Sequence, residues 1–338
     1  MSAAHLQVPI GSDSSQISAS RARANELAAS AGFGETDAHR VGLVATEMAT
    51  NLLKHAAAGH GELLMRVVAT GAYAEVEILA LDRGPGIADV HRSLEDGYST
   101  AGSSGTGLGA IRRLSESFDV YSQPGRGTAM MSRLCLNRRR REQEDSMAVG
   151  AVSLAKQGET VCGDRWQIQP RPSGLSMLVA DGLGHGLHAA DASIAAVGAF
   201  VATPLREPSE VLERIHNALR HTRGAAAAIA DVRSAERVVR FAGVGNIVGA
   251  ICGATATRQA VSHTGTLGHR AQYFRDYSYP WERGSLLVMH SDGMSAHWSL
   301  DTYPGIRNRH PAVIAATLYR DLYRGRDDVT VLVAREAA

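Results

Sequence analysis

The stretch Asp82-Arg83-Gly84-Pro85-Gly86-Ile87 closes an apolar run and precedes a second glycine cluster, Gly105-Thr106-Gly107-Leu108-Gly109. Upstream, Glu47-Met48-Ala49-Thr50-Asn51 lies in a segment of helical periodicity, which places Glu47 and Asn51 one turn apart on one face. Glycines let backbone amides approach phosphate oxygens, and a helix that begins in such a loop adds its dipole. The three segments together predict a nucleotide site.

Apolar periodicity around these segments predicts the local structure of the first half. It indicates two helices, then two strands that lead to Asp82, a helix that begins in the second glycine cluster, and a closing pair of strands. Helices are expected at 17–31 and 36–55, and 111–117 should continue the helix that begins in the second glycine cluster. Strands are expected at 62–70, 74–81, 118–122 and 128–136.

The residue types suit phosphoryl transfer. Asn51 can offer its carbonyl oxygen to a magnesium ion that bridges phosphates, and Glu47 can accept a proton from an attacking hydroxyl. Asp82, at the end of a strand, can accept a hydrogen bond from the exocyclic amine of adenine. Taken singly, each feature is also common as an ordinary turn or a solvated helix face, so the order and spacing of all three carry the prediction.

A second set of acidic turns follows after residue 150: Asp181-Gly182, Asp292-Gly293 and Asp327-Asp328 each stand where an apolar run begins or ends. One Asp-Gly turn is ordinary hairpin chemistry. Several gathered in one fold would repel one another unless cations neutralised them, which indicates hard divalent metals such as Mg²⁺ or Mn²⁺.

Composition limits the class of protein. With 35 Lys and Arg against 34 Asp and Glu among 338 residues, no net field favours nucleic acid or an anionic membrane as a partner. No run approaches the roughly 18 apolar residues of a spanning helix, and the polar start around Gly11 lacks a signal-peptide core. Cys135, Cys162 and Cys252 lack the short spacings of zinc sites or disulfide frameworks. We therefore expect a cytoplasmic protein.

The chain is long enough for two domains. The charged segment that opens with Arg138-Arg139-Arg140-Arg141 and closes with acidic residues shows no buried face. A solvated linker is favoured there over a nucleic-acid patch. The expected domains are 1–137 and 148–338, joined by a linker at 138–147.

Strands in long runs with a few helices between them predict an antiparallel, layered α+β second domain. The expected strands are 149–156, 175–180, 225–231, 238–242, 247–252, 285–290 and 329–334, and the expected helices are 188–201, 209–221 and 311–322.

Residues 15–137 resemble the GHKL superfamily, since Glu-x-x-x-Asn, Asp-x-Gly-x-Gly and Gly-x-Gly-x-Gly occur in its order, and they are most similar to RsbT-type serine kinases. The resemblance implies an α/β sandwich of the Bergerat type that binds ATP with one Mg²⁺. It implies Glu47 as general base, Asn51 as magnesium ligand and Asp82 as adenine contact. The glycine segments would enclose ATP through Gly84, Gly86, Gly105, Thr106, Gly107, Leu108 and Gly109.

Residues 148–335 resemble PPM-type serine/threonine phosphatases of the SpoIIE and RsbX branch, through Gly163-Asp164, Asp181-Gly182, Ser291-Asp292-Gly293 and Asp327-Asp328-Val329-Thr330. The resemblance implies an α/β/β/α sandwich that holds two Mg²⁺ or Mn²⁺ ions. Asp181 would bridge the ions, and the Gly182 carbonyl would join the first. Asp292 and Asp327 would hold the second ion, with Asp328 as an alternative to Asp327, and Asp164 would bind directly or through water.

His185 and His188 flank this turn and are either proton donors to the leaving serine or plain loop residues. Taken together, the two resemblances imply a fusion of opposed activities, a partner-switching regulator of bacterial stress signalling. The first domain would phosphorylate a serine or threonine of a STAS-domain protein, and the second would dephosphorylate that protein or a relative. Alternatively, the first domain only senses nucleotide or binds a partner such as a sigma factor. GHKL switch kinases often dimerise, so a homodimer is a further expectation.

Overall fold

The computed structural model describes residues 4–56, 61–70, 73–94, 107–136 and 146–337. The chain divides into two units, one formed by His5–Gln143 and the other by Glu144–Ala338 together with Met1–Ala4. Among the described residues, no helix is long and apolar enough to cross a membrane.

The first unit has helices on a five-stranded antiparallel sheet. Its elements are β1 Leu6–Ile10, α1 Ser15–Ser30, α2 Glu35–His55, β2 Gly61–Thr70, β3 Tyr73–Asp82, α3 Val90–Ser93, α4 Gly107–Leu114, β4 Ser117–Gln123 and β5 Gly127–Cys135. The strand order is β1-β2-β3-β5-β4.

α2 connects the sheet to the predicted nucleotide site. Val44, Met48 and Leu52 recur at helical spacing, are buried, and pack in one core with Met65 of β2 and Ile78 of β3. Acidic residues in the first turn of α2 and basic residues in its last turn complement the helix dipole. One apolar face therefore holds the helix on the sheet, so its polar residues are not needed for packing in this core.

The second unit contains two further five-stranded sheets. Its elements are β6 Met147–Leu154, β7 Asp164–Arg171, β8 Gly174–Gly182, α5 Leu187–Val201, α6 Pro208–Ala218, β9 Ala225–Arg233, β10 Val238–Val244, β11 Val248–Cys252, β12 Thr257–Gln259, β13 Tyr277–Pro280, β14 Leu286–His290, α7 Pro311–Leu322 and β15 Val329–Glu336. The strand orders are β13-β10-β9-β8-β7 and β12-β11-β14-β15-β6.

These elements form four layers. One core lies between the two sheets and joins Met177 of β8 and Phe241 of β10 to Met289 of β14. A second core lies between the first sheet and helices α5 and α6 and includes Phe200 and Ile215. α7 covers the other sheet through β6 and β15. The expected α/β/β/α sandwich is confirmed, as is the α/β sandwich of the first unit.

The predicted helices and most predicted strands occur within a few residues of their expected bounds. The strands β1, β7, β12 and β13 were not predicted. β7 combines Gln167, Gln169 and Pro170 with only a few apolar residues, so its sequence lacks the uninterrupted apolar run of a central strand. β6 begins at Met147, within the segment expected as linker, whereas most of that segment lies outside the described residues.

Candidate functional site

α2 presents Glu47 and Asn51 on its half-buried side, one turn apart as predicted. The first residue of α4 lies beside both: a Cβ atom built on Gly107 would stand 3.4 Å from Asn51 Oδ1 and 3.5 Å from Glu47 Oε2. A helix N-terminus, whose first amides have no partner within the helix, therefore lies next to a carboxylate and an amide.

The Asn51 side chain supports a ligand at this point. Its Nδ2 atom is buried and has no hydrogen-bond partner among the described residues. Because buried polar atoms are rarely left without a partner, such a donor beside a helix N-terminus fits a bound anion. Asn51, Glu47 and the first turn of α4 are thus a donor set that suits a nucleotide phosphate with its cation.

A side-chain hydrogen bond and closely packed glycines fix the backbone of the turn that follows Asp82. Asp82 is buried at the end of β3, and its Oδ1 accepts a hydrogen bond of 2.7 Å from the Gly84 amide. Gly86 has a φ of +73° and lies against the carbonyl oxygen of Gln123, where a side chain would collide. The glycines therefore hold the turn against the β4–β5 connection, and one carboxylate oxygen of Asp82 is used in shaping it.

The remaining predicted ATP contacts fall in two groups. Gly107, Leu108 and Gly109 form the first turn of α4, whereas Gly105 and Thr106 lie outside the described residues. Lys54 and His55, at the end of α2, are exposed.

In the second unit, β7 and β8 bring two aspartates opposite each other, since Asp164 pairs with Asp181 in the strand register. Asp164 is 1% exposed, and its Oδ2 accepts a hydrogen bond of 2.6 Å from Ser291 Oγ. The other carboxylate oxygen, Oδ1, is buried without a hydrogen-bond partner among the described residues. An unpartnered carboxylate oxygen inside a protein is costly unless a cation or water meets it.

Two polar residues that the sequence did not single out as functional hold this cluster. Ser291 Oγ also accepts a hydrogen bond of 2.9 Å from the Thr330 amide, so it joins β7 to β15. Asn246, in the turn between β10 and β11, donates from Nδ2 to Asp292 Oδ2 at 2.7 Å. Ser291 stands inside a stretch that carried the phosphatase resemblance, which was the available signal for it.

The structure separates the roles of the two neighbouring aspartates. Both oxygens of Asp328 accept backbone hydrogen bonds, Oδ1 from Lys156 N at 2.8 Å and Oδ2 from Gly163 N at 2.9 Å. Asp327 accepts a bond from the Asp328 amide on Oδ1. Asp328 is thereby committed to the backbone, which leaves Asp327 as the better candidate ligand.

The electrostatics of the cluster favour cation binding. Burial, and then the charges of Asp164, Asp292, Asp327 and Asp328, raise the pKa of Asp181 to about 10. Burial raises the pKa of Asp164 to about 7, against the hydrogen bond from Ser291 and with repulsion from Asp328. Such carboxylates resist ionising together unless positive charge neutralises them.

No three Asp, Glu, His or Cys side chains of the described residues already converge as a complete metal cage. Mg²⁺ commonly keeps several waters and takes only one or two carboxylates, so an open ligand set of this kind is compatible with it. The Gly182 carbonyl, next to Asp181 at the end of β8, is available as a further oxygen. The donor set is all oxygen and fits a hard divalent ion.

The two histidines near the turn differ in their surroundings. His185 Nδ1 lies 2.6 Å from Glu159 Oε1, so the imidazole is held by a carboxylate. His188 is exposed, with Asp191 at 3.9 Å. The alternatives of proton donor and loop residue stay open for both.

The comparisons with known proteins match each unit separately. Residues 10–133 match the family described as histidine kinase-like ATPase domain, and residues 171–336 match the family described as stage II sporulation protein E (SpoIIE). The serine/threonine-protein kinase RsbT of Bacillus subtilis (strain 168) is 35% identical over 116 residues, which cover 34% of this chain and 86% of RsbT. The phosphoserine phosphatase RsbX of the same organism is 29% identical over 158 residues, 46% of this chain and 78% of RsbX.

Solved structures agree with the second match. A chain from work on the bacterial stressosome is 28% identical, with a TM-score of 0.53, and covers 56% of this chain and all of that one. RsbX in complex with magnesium shares the fold, with 23% identity, a TM-score of 0.50 and coverage of 58% and 98%.

Fold and site thus define a chain that joins a GHKL-type ATPase unit to a PPM-type phosphatase unit. It belongs to the RsbT-like family of histidine kinase-like ATPase domains in its first unit, and its second unit carries a SpoIIE-type PPM domain that is similar to RsbX. This is the domain architecture of a partner-switching regulator.

Proposed function

We propose that this chain is a bifunctional partner-switching regulator that both phosphorylates and dephosphorylates protein serine or threonine. The first unit, at 1–137, transfers phosphate from ATP to a STAS-domain protein. The second, at 148–338, removes phosphate from that protein or a related one, and 138–147 serves as linker. The observation that carries the proposal is the presence in one chain of Glu47 and Asn51 beside the N-terminus of α4 and of a cluster of aspartates whose burial and mutual repulsion raise the pKa of Asp181.

In the kinase reaction, Glu47 accepts the proton of the substrate hydroxyl. The oxygen of that hydroxyl bonds to the γ-phosphorus of ATP, and the bond between this phosphorus and the ADP oxygen breaks. ATP supplies the phosphoryl group, and its Mg²⁺ neutralises phosphate charge. Asn51 would hold that ion, and the first turn of α4 would offer its amides to the phosphates. Asp82 contacts adenine, and Gly84 and Gly86 shape the turn that presents it.

In the phosphatase reaction, a water oxygen displaces the serine oxygen from phosphorus, and the serine leaves with a proton. Two Mg²⁺ or Mn²⁺ ions, when bound, supply phosphate neutralisation and a more acidic water. Asp164, Asp181, Gly182, Asp292 and Asp327 would hold them. Ser291 orients Asp164, and Asn246 orients Asp292, so each carboxylate keeps one direction.

The test is to incubate the protein with labelled ATP, Mg²⁺ or Mn²⁺, and STAS-domain proteins from the same genome. Wild type is compared with Asp181→Asn and with the double variant Asp181→Asn/Glu47→Ala. Because the phosphatase unit removes the phosphate that the kinase unit adds, we expect phosphoprotein to accumulate only with Asp181→Asn. It should be absent with the double variant.

The matched control is Asp181→Asn/Glu35→Ala, since Glu35 is an exposed glutamate in the first turn of the same helix. This control should accumulate product like Asp181→Asn alone. If no variant labels any partner while wild type still dephosphorylates phosphoprotein, the kinase assignment is wrong and the first unit is a nucleotide sensor or binding module.

A further inference from the structure

Large apolar side chains are unevenly exposed on the described surface. Nine of them are at least one-third exposed, and five of these nine lie in the short segment from 183 to 205: Leu183, Leu187, Ile194, Val201 and Leu205. Single exposed apolar residues are normal, but a cluster on one surface marks an interaction site.

The exposed residues follow one line along α5. Leu187, Ile194 and Val201 are seven residues apart, close to two helical turns, so they project from the same side. They are 69%, 46% and 49% exposed. The opposite side of α5, including Ala196 and Phe200, is buried in the core against the sheet. The outer side of α5 therefore carries three large exposed apolar residues, beside the exposed His188 and Asp191, although packing within the unit does not require them.

This line begins at the predicted metal centre. A side chain on Gly182 would collide with the carbonyl oxygen of Ala189, so the first turn of α5 packs directly on the proposed ligand. Leu183 follows Gly182 and donates its amide to the Gly224 carbonyl at 2.9 Å. The apolar line therefore begins at Leu183, the residue next to the proposed ligand Gly182.

A positively charged side chain lies beside the turn that follows Gly182. The exposed Arg223 has its guanidinium Nη1 3.3 Å from the point where a Cβ on Gly184 would stand, directly over the turn. A positive charge beside a cation-binding carboxylate cluster complements a phosphate. An apolar line that leads to these charges complements an apolar protein surface that carries a phosphoserine.

We propose that the surface formed by Leu183, Leu187, Ile194 and Val201, here called the α5 surface, docks the phosphoserine protein substrate. This inference rests on the proposed phosphatase function. Docking away from the reacting phosphate gives binding energy that a small phosphoester cannot use. The α5 surface thereby selects a folded phosphoprotein over free phosphoesters.

The test compares two substrates of the full chain with Mn²⁺: a STAS-domain protein that carries phosphoserine, and p-nitrophenyl phosphate. The variants are Ile194→Glu, Ile194→Lys and Val201→Lys. For each, we expect the ratio of kcat/KM for the phosphoprotein to kcat/KM for p-nitrophenyl phosphate to fall about tenfold or more, the size of a docking hot spot. Two opposite charges at position 194 separate loss of apolar contact from electrostatic repulsion of phosphate.

The matched control is Val261→Lys, because Val261 is an exposed apolar residue of the same unit outside α5. Its ratio should stay within about twofold of wild type. Melting curves check that every variant is folded, and Val201→Lys tests the same surface if a substitution at 194 disturbs the helix.

Three results would overturn the α5 surface as a substrate dock. The ratio could be retained by all folded variants; it could fall for Ile194→Glu and rise for Ile194→Lys; or sedimentation could show a wild-type dimer that the variants dissociate while the ratio is kept, which would make α5 a self-association face. Failure of wild type to cleave either substrate would instead contradict the proposed phosphatase function, and cleavage of p-nitrophenyl phosphate alone would exclude the STAS protein as the occupant.

Discussion

Asp327 and Asp328 are adjacent in the chain, but their environments predict opposite effects of the same substitution. Asp328→Asn replaces one acceptor by a donor facing Lys156 N or Gly163 N. Leaving a buried amide without its partner should cost about 1–3 kcal/mol of unfolding free energy. Denaturant titration of the full chain measures this loss of unfolding free energy.

Asp327→Asn is the matched substitution. It removes a proposed metal ligand and should lower phosphatase activity by more than the about 10–100-fold typical of a supporting residue, with little loss of stability. Activity at increasing Mn²⁺ tests this. The reverse pattern, with Asp327→Asn unstable and Asp328→Asn inactive but stable, would exchange the two roles.

The raised pKa of Asp181 leads to a prediction of how the stability of the protein responds to pH and to metal. Burial and then four neighbouring aspartates raise its pKa from 3.8 to about 10. The folded state therefore binds more protons than the unfolded chain between these values, so metal-free stability falls as pH rises through this window. In EDTA, the melting temperature of wild type should drop from about pH 6 to about pH 8.

Asp181→Asn should flatten this drop, raise metal-free stability by about 1–3 kcal/mol, and abolish the rise in melting temperature that Mn²⁺ gives wild type. The exposed α5 residue Asp191 provides the control, since Asp191→Asn should keep both the pH slope and the metal response. A variant that keeps the full Mn²⁺ response would exclude Asp181 as a ligand.

At the scale of elements, the proposed nucleotide site depends on the start of α4. In Gly107→Ala the added methyl group would stand 3.4–3.5 Å from Asn51 and Glu47, an ordinary contact in the free protein. The fold should therefore tolerate it. The methyl group would occupy space needed by phosphate, so ATP affinity should fall about tenfold, or 1.4 kcal/mol.

Titration with a fluorescent ATP analogue, alongside melting curves, measures both effects. Gly34→Ala is the control, since Gly34 precedes α2 and a methyl group there meets nothing within 4 Å. Unchanged affinity in a folded Gly107→Ala protein would place the phosphates elsewhere.

At the scale of the whole molecule, the two units should respond to acid in opposite directions. In the first unit, Glu77 is buried with Arg66 Nε at 2.7 Å and Arg133 Nε at 2.7 Å. Burial opposes ionisation, but the two arginines outweigh it and hold the pKa of Glu77 well below 4.5. Its stabilisation is present above the unfolded pKa and is lost as pH falls from there through the folded value.

Metal-free protein taken from about pH 7 to about pH 4 should therefore gain protection in β8 and then lose it in β3. Hydrogen exchange read by mass spectrometry, corrected for intrinsic rates, follows both strands in one sample. Glu77→Gln should remove the acid loss in β3 and leave β8 as in wild type. Parallel changes of the two strands in wild type would contradict independent electrostatic control.

Much of this molecule was predictable from the sequence. The helical period of Val44, Met48 and Leu52, and the apolar runs that end at Asp82 and Asp181, are local patterns, so they predicted elements without knowledge of partners. Short or mixed strands such as β7 were missed because their pairing, rather than their own residues, makes them strands.

The sequence by itself determined the two units, the motif residues and the class of chemistry, because these depend on residue type and on spacing along a few turns. Only the tertiary structure decided which aspartate is committed to the backbone, since Asp328 bonds Lys156 across 172 positions. It also decided that Ser291 supports Asp164 and that one side of α5 stays exposed. Contacts between distant segments and the accessibility of a face arise from packing, which no local pattern of residues records.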